Sequence, residues 1–142
     1  IETVKYITIE TINSIYPHYY PEGAVDFFLG HHNDKNIEND IRVGIVYLCF
    51  DNENNAVGTV TVKENEICRL FVLPEYQGNG YGKELISFAE NKISEKYNEI
   101  ILHASLPAKA IYLKKGYKEL EFHSIKTENG DYLCYDMMIK QI

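Results

Sequence analysis

The sequence predicts an α/β (α+β) fold, with a mixed central sheet of about seven strands and helices on both faces. Two passages of the chain predict this architecture. Three short strands separated by polar turns follow one another between residues 43 and 73, and such a meander makes antiparallel pairs. A strand–helix–strand passage comes next and implies a parallel pair with a helix packed on the sheet. With 142 residues, the chain is expected to form one domain, 1–142.

The N-terminal part of the chain predicts one strand followed by two helices. β-Branched residues indicate a strand over residues 3–8. Apolar residues then recur at helical spacing from Ile9 to Tyr19, and Pro17 is expected to end or bend that helix. Pro21 is suited to the first turn of a second helix. Four residues of this second helix share one apolar face: Val25, Phe28, Leu29 and His32.

The rest of the chain shows the same kinds of signal. Polar turns and Pro74 separate three strands, and Asn129-Gly130 marks a closing hairpin. The clearest helical pattern follows a glycine-rich stretch. The predicted elements are a helical turn at 37–41, strands 43–50, 57–62 and 66–73, a helix 80–96, a strand 99–104, a helix 107–115, and strands 118–126 and 132–140.

Composition excludes several classes of protein. Hydrophobic residues make up 45% and charged residues 25% of the chain, which is typical of globular domains. The net charge of −7 argues against nucleic acid and anionic membranes as partners. It either favours a cationic small molecule or only keeps the protein soluble. Three cysteines without close spacing fit neither a disulfide framework nor a zinc site, so we expect reduced thiols, no metal and a cytoplasmic location.

The two ends of the chain carry little information. No basic region followed by a long apolar stretch precedes the first elements, so no signal peptide is expected. The longest apolar run, residues 43–50, is too short to span a bilayer. The sequence begins with Ile1 rather than Met, which suggests that residues upstream are missing.

The most informative segment is 69–83, where a buried strand leads into a glycine-rich loop and then directly into a helix. Glycines let the backbone approach a ligand closely and adopt positive φ. The first N–H groups of the helix, together with its dipole, favour an anion such as a pyrophosphate. A dinucleotide fingerprint and a Walker loop are both excluded, because Lys83 and Glu84 stand where those motifs need Gly and Ser or Thr. A glycine-rich turn without a ligand stays open as the alternative.

Gln77-Gly78-Asn79-Gly80-Tyr81-Gly82 resembles the Q/R-x-x-G-x-G/A motif of the Gcn5-related N-acetyltransferase (GNAT) family. The strand before it, Leu70-Phe71-Val72 with Pro74, is similar to the stretch that precedes that motif. Further along, residues 108–117 resemble the second motif of the family, an Ala, a Tyr four residues later and then Gly-aromatic. The resemblance covers nearly the whole chain. It implies a GNAT-like three-layer fold and acetyl-CoA as co-substrate.

The resemblance implies a role for each matching residue. The backbone groups of Phe71 and Val72 would pair with the pantetheine arm of the co-substrate. Tyr112 would lie near the thioester sulfur and protonate the departing thiolate. Ser105 stands where many members have Asn, and its hydroxyl would donate the corresponding hydrogen bond over a shorter reach. Seven residues would hold the pyrophosphate through their N–H groups: Gln77, Gly78, Asn79, Gly80, Tyr81, Gly82 and Lys83.

Acetyl transfer to an amine needs a base, because a free alkylammonium has a pKa of about 10. It also needs a donor for the developing oxyanion, and a backbone N–H near Val72 is the candidate. Glu66 is the candidate base, because strand alternation puts it on the same face as Val72, six residues later. A Glu occupies the equivalent place in histone-acetylating members of the family. Two alternatives stay open: an ordered water as the base, and Glu66 as an exposed strand end.

The first two helices are expected to wall the acceptor pocket, as is usual in this family. Aromatic rings and an acid, Asp26, there suit a cation held against ring faces. The candidates are Tyr19, Tyr20, Phe27 and His31. His32 and His103 lie among apolar residues, so we interpret them as core or helix-end histidines rather than as catalytic groups.

The sequence therefore predicts an N-acetyltransferase that moves acetyl from acetyl-CoA to a small cationic primary amine in a ternary complex. A non-catalytic sensor of acyl-CoA with the same fold is the alternative. A structural domain that binds nothing is the third hypothesis. The expected oligomeric state is monomer or homodimer.

Overall fold

The computed structural model describes residues 1–142 as a six-stranded mixed sheet with helices on both faces, which confirms the predicted fold class. The strand order is β1-β2-β3-β4-β6-β5, and only β3 and β4 are parallel. The strands are β1 (Val46–Phe50), β2 (Ala56–Lys63), β3 (Glu66–Val72), β4 (Glu99–Ala104), β5 (Lys118–Lys126) and β6 (Tyr132–Gln141). The helices are α1 (Glu2–Ile15), α2 (Glu22–His31), α3 (Asp34–Arg42), α4 (Tyr81–Ser94) and α5 (Leu106–Lys114).

The predicted strand at residues 3–8 is wrong, which is why the sheet has six strands and not about seven. Residues 2–15 form one helix, α1. Val4, Ile7 and Ile12 recur at helical spacing and are buried against the sheet, so packing overrides the β propensity of the segment. Thr8 and Thr11 also fit the helix, because their hydroxyls donate to the carbonyls of the residues four positions earlier, both at 2.7 Å.

Two apolar cores lie on opposite faces of the sheet. On one face α1 and α2 pack on Phe71 and Leu133, and on the other α4 and α5 pack on Val60 and Val72. The predicted helical turn at 37–41 is part of α3, whose one buried residue is Ile37. No helix of the structure is both long and apolar enough to cross a membrane.

A β-bulge in β3 changes which side chains share a face. Thr61 of β2 pairs with Arg69, whereas the next residue, Val62, pairs with Ile67, so Cys68 is an extra residue in the ladder. Glu66 therefore points to the same side of the sheet as Arg69 and Phe71. The expectation that Glu66 and Val72 share a face is wrong, because alternation holds only for an unbroken ladder.

The parallel strands β3 and β4 separate soon after they meet. They pair only at Glu66 with Ile101 and at Ile67 with Leu102, and beyond Ile67 they diverge as a fork. The C-terminal half of β3 thus has a sheet partner on the β2 side alone. The fork opens toward the end of β3, from which the chain continues into the glycine-rich loop and α4. The candidate site lies at this fork.

Candidate active site

An uninterrupted run of backbone donors follows β3. The N–H groups of residues 78–83 have no hydrogen-bond acceptor within the protein. Gly78 and Gly80 make this arrangement possible with φ of +84° and +88°, a region that disfavours side chains. Gly80 caps α4, so the helix dipole adds to the donors. We call residues 78–83 the amide cradle, and its chemistry suits a diphosphate.

The side chains around the amide cradle mostly face away from it or hold its shape. The Gln77 amide donates to the carbonyl oxygen of Val72 at 2.9 Å, and the Asn79 amide donates to the carbonyl of Tyr76 at 3.1 Å. The Tyr81 ring packs edge-on against Tyr76, and Lys83 is exposed. Residues 78–83 thus offer free backbone N–H groups, and their contact with a pyrophosphate stays a prediction. The expectation that the Gln77 N–H is a further donor to it is wrong, because this N–H donates to the Pro74 carbonyl at 3.3 Å, and the Gln77 side chain braces the end of β3.

The fork side of β3 offers Val72 rather than Phe71 as a backbone partner. The carbonyl of Val72 accepts from Gln77 and, at 3.3 Å, from the Thr11 hydroxyl, so it points away from β2. The N–H and C=O of one strand residue point to the same side, and the Val72 N–H therefore points into the fork. The Phe71 carbonyl faces Gly58 of β2, so Phe71 contributes its ring to the site and not its backbone.

Two cavities meet at the fork. One has a volume of about 340 Å³ and lies between α1, the amide cradle, α4 and α5. The other has a volume of about 730 Å³ and lies between the sheet and the helices α2 and α3. Ligands that enter the two cavities would therefore come together beside the same side chains. Six residues line both cavities: Tyr16, Leu70, Phe71, Ser105, Ala108 and Tyr112.

Tyr112 is a protonated phenol at the junction of the two cavities. Its side chain is buried, and this burial, with a smaller effect of Tyr16, raises the pKa of Tyr112. Tyr16 is buried beside it, and burial raises its pKa as well, although the neighbouring Ser105 side chain opposes that effect. A phenol held in its neutral form is suited to give a proton to a leaving group. The family resemblance pointed to Tyr112 and Ser105, and their roles stay predictions. Tyr16, directly after α1, joins them at this junction.

Glu66 lies in the larger cavity with two groups that can exchange protons. The bulged Cys68 thiol donates to Glu66 Oε2 at 3.1 Å, and His103 Nδ1 is 4.0 Å from Glu66 Oε1. Burial and then the Glu66 carboxylate raise the pKa of Cys68 to about 12. The interpretation of His103 as a core residue is wrong, because its side chain is 44% exposed and lines the larger cavity. Strand alternation puts His103 on the open face at the end of β4, among buried neighbours in sequence.

The predicted acceptor-binding residues are not all brought together. Phe27 and His31 line the larger cavity, whereas Tyr19 lines the smaller one. Tyr20 is buried and lines neither cavity, since its hydroxyl donates to the Cys134 carbonyl and accepts from the Leu106 N–H. Burial raises the pKa of Tyr20. Its two hydrogen bonds tie the α1–α2 connection to α5 and β6.

Arg69 is the largest omission of the sequence reasoning. Its guanidinium is buried on the floor of the larger cavity and pairs with Asp40 of α3 at 3.1 Å. It also donates to His32 Nδ1 at 3.2 Å and to the Thr61 hydroxyl at 2.9 Å. A charged residue within an otherwise apolar strand was the signal, because such a residue is rarely buried without partners.

The fold and the site together define a protein with an amide cradle suited to an anionic group and with two cavities that meet beside it. A family model described as an acetyltransferase (GNAT) domain matches residues 15–138. The chain belongs to the GNAT acetyltransferase family, and it is an acyl-transferring enzyme of that family.

Solved structures share the fold. A GCN5-related N-acetyltransferase from Rhodopseudomonas palustris is 21% identical, with a TM-score of 0.87 over 99% of this chain and 89% of that chain. The PaiA N-acetyltransferase from Thermoplasma acidophilum, in complex with coenzyme A, is also 21% identical, with a TM-score of 0.73 over 99% and 92%. A GNAT acetyltransferase from Elizabethkingia anophelis with acetyl-CoA bound is 16% identical, with a TM-score of 0.61 over 78% and 84%. No curated protein sequence gives a significant match.

Proposed function

We propose that this protein is a cytoplasmic N-acetyltransferase that uses acetyl-CoA to acetylate the primary amine of a small cationic molecule. The observation that carries the proposal is the junction of two cavities beside Tyr112. The smaller cavity leads to the amide cradle, which suits the diphosphate of CoA. The larger cavity offers Glu66 and aromatic rings to an ammonium group. Two structures with the same fold hold CoA or acetyl-CoA, which supports the choice of co-substrate.

The residues of the junction suit direct attack of the amine on the thioester. Glu66 accepts a proton from the ammonium group, either directly or through a water molecule. The free amine then attacks the carbonyl carbon, and the Val72 N–H, which points into the fork, donates to the developing oxyanion. The carbonyl re-forms as the C–S bond breaks, and Tyr112 gives its proton to the departing thiolate. The proton that the attacking nitrogen still has to lose then restores the Tyr112 phenol, directly or through a water molecule. Holding the two substrates in line at one junction supplies much of the rate.

A binding and turnover experiment separates this proposal from its alternative. Thermal unfolding is followed with and without acetyl-CoA, because a ligand at about 100 times its Kd adds about 2.7 kcal/mol to stability. CoA release is then followed with a panel of primary amines. We expect both a higher Tm and CoA release. A shift in Tm without CoA release from any amine supports the sensor, and the absence of any shift at millimolar acetyl-CoA contradicts both functions.

Tyr112→Phe is expected to lower kcat about tenfold and to leave the affinity for acetyl-CoA nearly unchanged. The effect is below the roughly 10²- to 10⁴-fold range usual for acid catalysis, because a thiol of pKa about 8.5 is already a good leaving group. Steady-state kinetics and titration with acetyl-CoA measure the two quantities. Tyr117→Phe is a matched control on a neighbouring buried tyrosine that lines neither cavity. An unchanged kcat in Tyr112→Phe removes Tyr112 from the mechanism.

Glu66→Gln is expected to lower kcat/KM for the amine about 10- to 100-fold, because the amide cannot accept the proton. The pH–rate profile should change with it, while the affinity for acetyl-CoA does not. His103→Gln tests the neighbouring histidine by the same measurement and is expected to have the smaller effect. If His103→Gln changes the pH–rate profile and Glu66→Gln does not, the base is His103.

A further inference from the structure

His32 presents one unpaired hydrogen-bond donor to the larger cavity. Its side chain is more than nine-tenths buried and stands edge-on to Phe71, with ring centroids 5.4 Å apart. The Nε–H of Arg69 donates to His32 Nδ1 at 3.2 Å. An arginine nitrogen can only donate, so Nδ1 has no proton and the neutral ring carries its proton on Nε2.

The Nε2–H group of His32 has no acceptor within the protein. Nδ1 is the only ring atom of His32 that forms a hydrogen bond. Nε2 is nevertheless accessible to solvent. His32 lines the larger cavity, so we take its solvent-accessible Nε2–H as a donor available to a ligand in that cavity.

The surroundings keep this group a donor. Burial first, and then the charges of Arg69 and His31, lower the pKa of His32 to about 3, so the ring stays neutral and keeps the same tautomer at physiological pH. Asp40 on α3 balances the charge of Arg69 at 3.1 Å, and Thr61 takes a further N–H of the guanidinium. The Arg69–His32 hydrogen bond also polarises the ring and strengthens the donor at its far side.

A fixed hydrogen-bond donor of this kind favours a ligand that carries a hydrogen-bond acceptor. Water can reach this donor in the free protein. A ligand that displaces the water without supplying an acceptor leaves the donor unpaired, which costs free energy that a hydrogen bond recovers. A protonated polyamine or alkylamine carries only ammonium and methylene groups, and neither group can accept a hydrogen bond from His32. A carbonyl or carboxylate oxygen can accept one.

Resting on the proposed function, we infer that the acceptor is a primary amine that also carries a carbonyl or carboxylate oxygen, which accepts a hydrogen bond from His32 Nε2. His32 is then a residue that determines specificity, and Arg69 is a positioning residue that fixes its tautomer. The ammonium end of the acceptor lies toward Glu66 and the oxygen toward His32. Amino amides, amino acids and peptide-like amines fit this description.

Binding of matched probes tests the inference without relying on turnover. ω-Amino amides of increasing chain length are titrated calorimetrically into the protein with saturating CoA and into the protein alone. n-Alkylamines of equal length carry the same charge without the oxygen, and ω-amino acids carry a carboxylate. We expect the best amide or amino acid to bind about fivefold to tenfold more tightly than its alkylamine. If the amino acids gain more affinity over the alkylamines than the amides do, the ligand oxygen belongs to a carboxylate. If the two gains in affinity are equal, it belongs to a carbonyl.

Variants assign the preference to His32. His32→Leu should reduce the ratio of the two affinities to about one. His32→Gln should keep most of it, because an amide can accept from Arg69 and donate into the cavity. His18→Leu, at an exposed position that lines neither cavity, should leave the ratio unchanged. If His32→Leu does not fold, the ratio of amide to alkylamine affinity is measured in His32→Phe and should again fall to about one. In the wild type, the NMR resonance of the His32 Nε2–H should shift when the amide binds.

Each other outcome overturns the inference. Equal affinities for amide and alkylamine, a preference that persists in His32→Leu, or no binding of any oxygen-bearing probe would each do so. The proposed function fails by a different result, namely no CoA release from any amine. A protein that prefers the amide through His32 but releases no CoA would therefore keep His32 as the residue that determines ligand preference in the larger cavity and lose the transferase.

Discussion

Gly82→Asp is expected to weaken CoA binding by at least about 100-fold while the protein stays folded. Gly82 lies in the first turn of α4 and lines the smaller cavity. A Cβ there meets only Val72 Cγ2, at 3.9 Å, which is an ordinary contact. A carboxylate in a first helical turn is also favourable for the helix. The same carboxylate would occupy the amide cradle and repel the diphosphate, and like charges about 4 Å apart cost about 4 kcal/mol near a protein surface.

Two controls separate charge from size. Gly82→Ala adds a methyl group without charge and should weaken CoA binding about tenfold or less. Gly30→Asp adds the same charge on α2, at an exposed position where a Cβ meets nothing within 4 Å, and should bind CoA normally. Calorimetric titration with CoA gives the affinities, and thermal unfolding without ligand checks the fold. Wild-type affinity in Gly82→Asp would show that the diphosphate binds elsewhere.

The protein is expected to lose roughly 3–5 kcal/mol of stability between about pH 6.5 and pH 3 through His32 alone. Burial and the charge of Arg69 lower the pKa of His32 to about 3 in the folded state, whereas the unfolded chain has the ordinary value of about 6.5. Between these values the unfolded state binds the proton and the folded state does not. The contribution is therefore fully present above pH 6.5 and is lost as the pH falls.

His32→Gln isolates this effect, because glutamine does not titrate. Urea unfolding at about pH 7 and about pH 4 gives the free energy of unfolding for both proteins. The wild type should lose more stability than His32→Gln over this interval. The Asp51 carboxylate, whose pKa is lowered by hydrogen bonds from Asn55, weakens both proteins equally at lower pH. Parallel pH dependence of the two proteins would mean that His32 binds a proton as readily folded as unfolded.

Local patterns determined most of the elements but not the first one. The closing hairpin and α4 were predicted within a few residues, because turn residues and helical spacing act over short distances. The segment at residues 3–8 has both β-branched residues and apolar residues at helical spacing. Which signal prevails depends on the surface it meets, and here that surface is the sheet under α1.

In the candidate site, too, the features that depend on local sequence were predictable, and those that depend on tertiary contacts were not. The glycine pattern from Gly78 to Gly82 determined the amide cradle, because free N–H groups at a helix start depend on the local backbone alone. The position of Glu66 depended on the bulge at Cys68, which arises from the pairing of two strands. The Arg69–His32–Asp40 network joins three elements that are distant in the sequence.

The sequence by itself thus determined the family, the individual strands from β1 to β6 and the amide cradle, since the motifs, strands and cradle are each encoded in short stretches of residues. The tertiary structure alone decided which side chains face the acceptor. That choice depends on strand register and on the packing of α2 and α3 over β3, where a shift of one residue moves a side chain to the other face of the sheet.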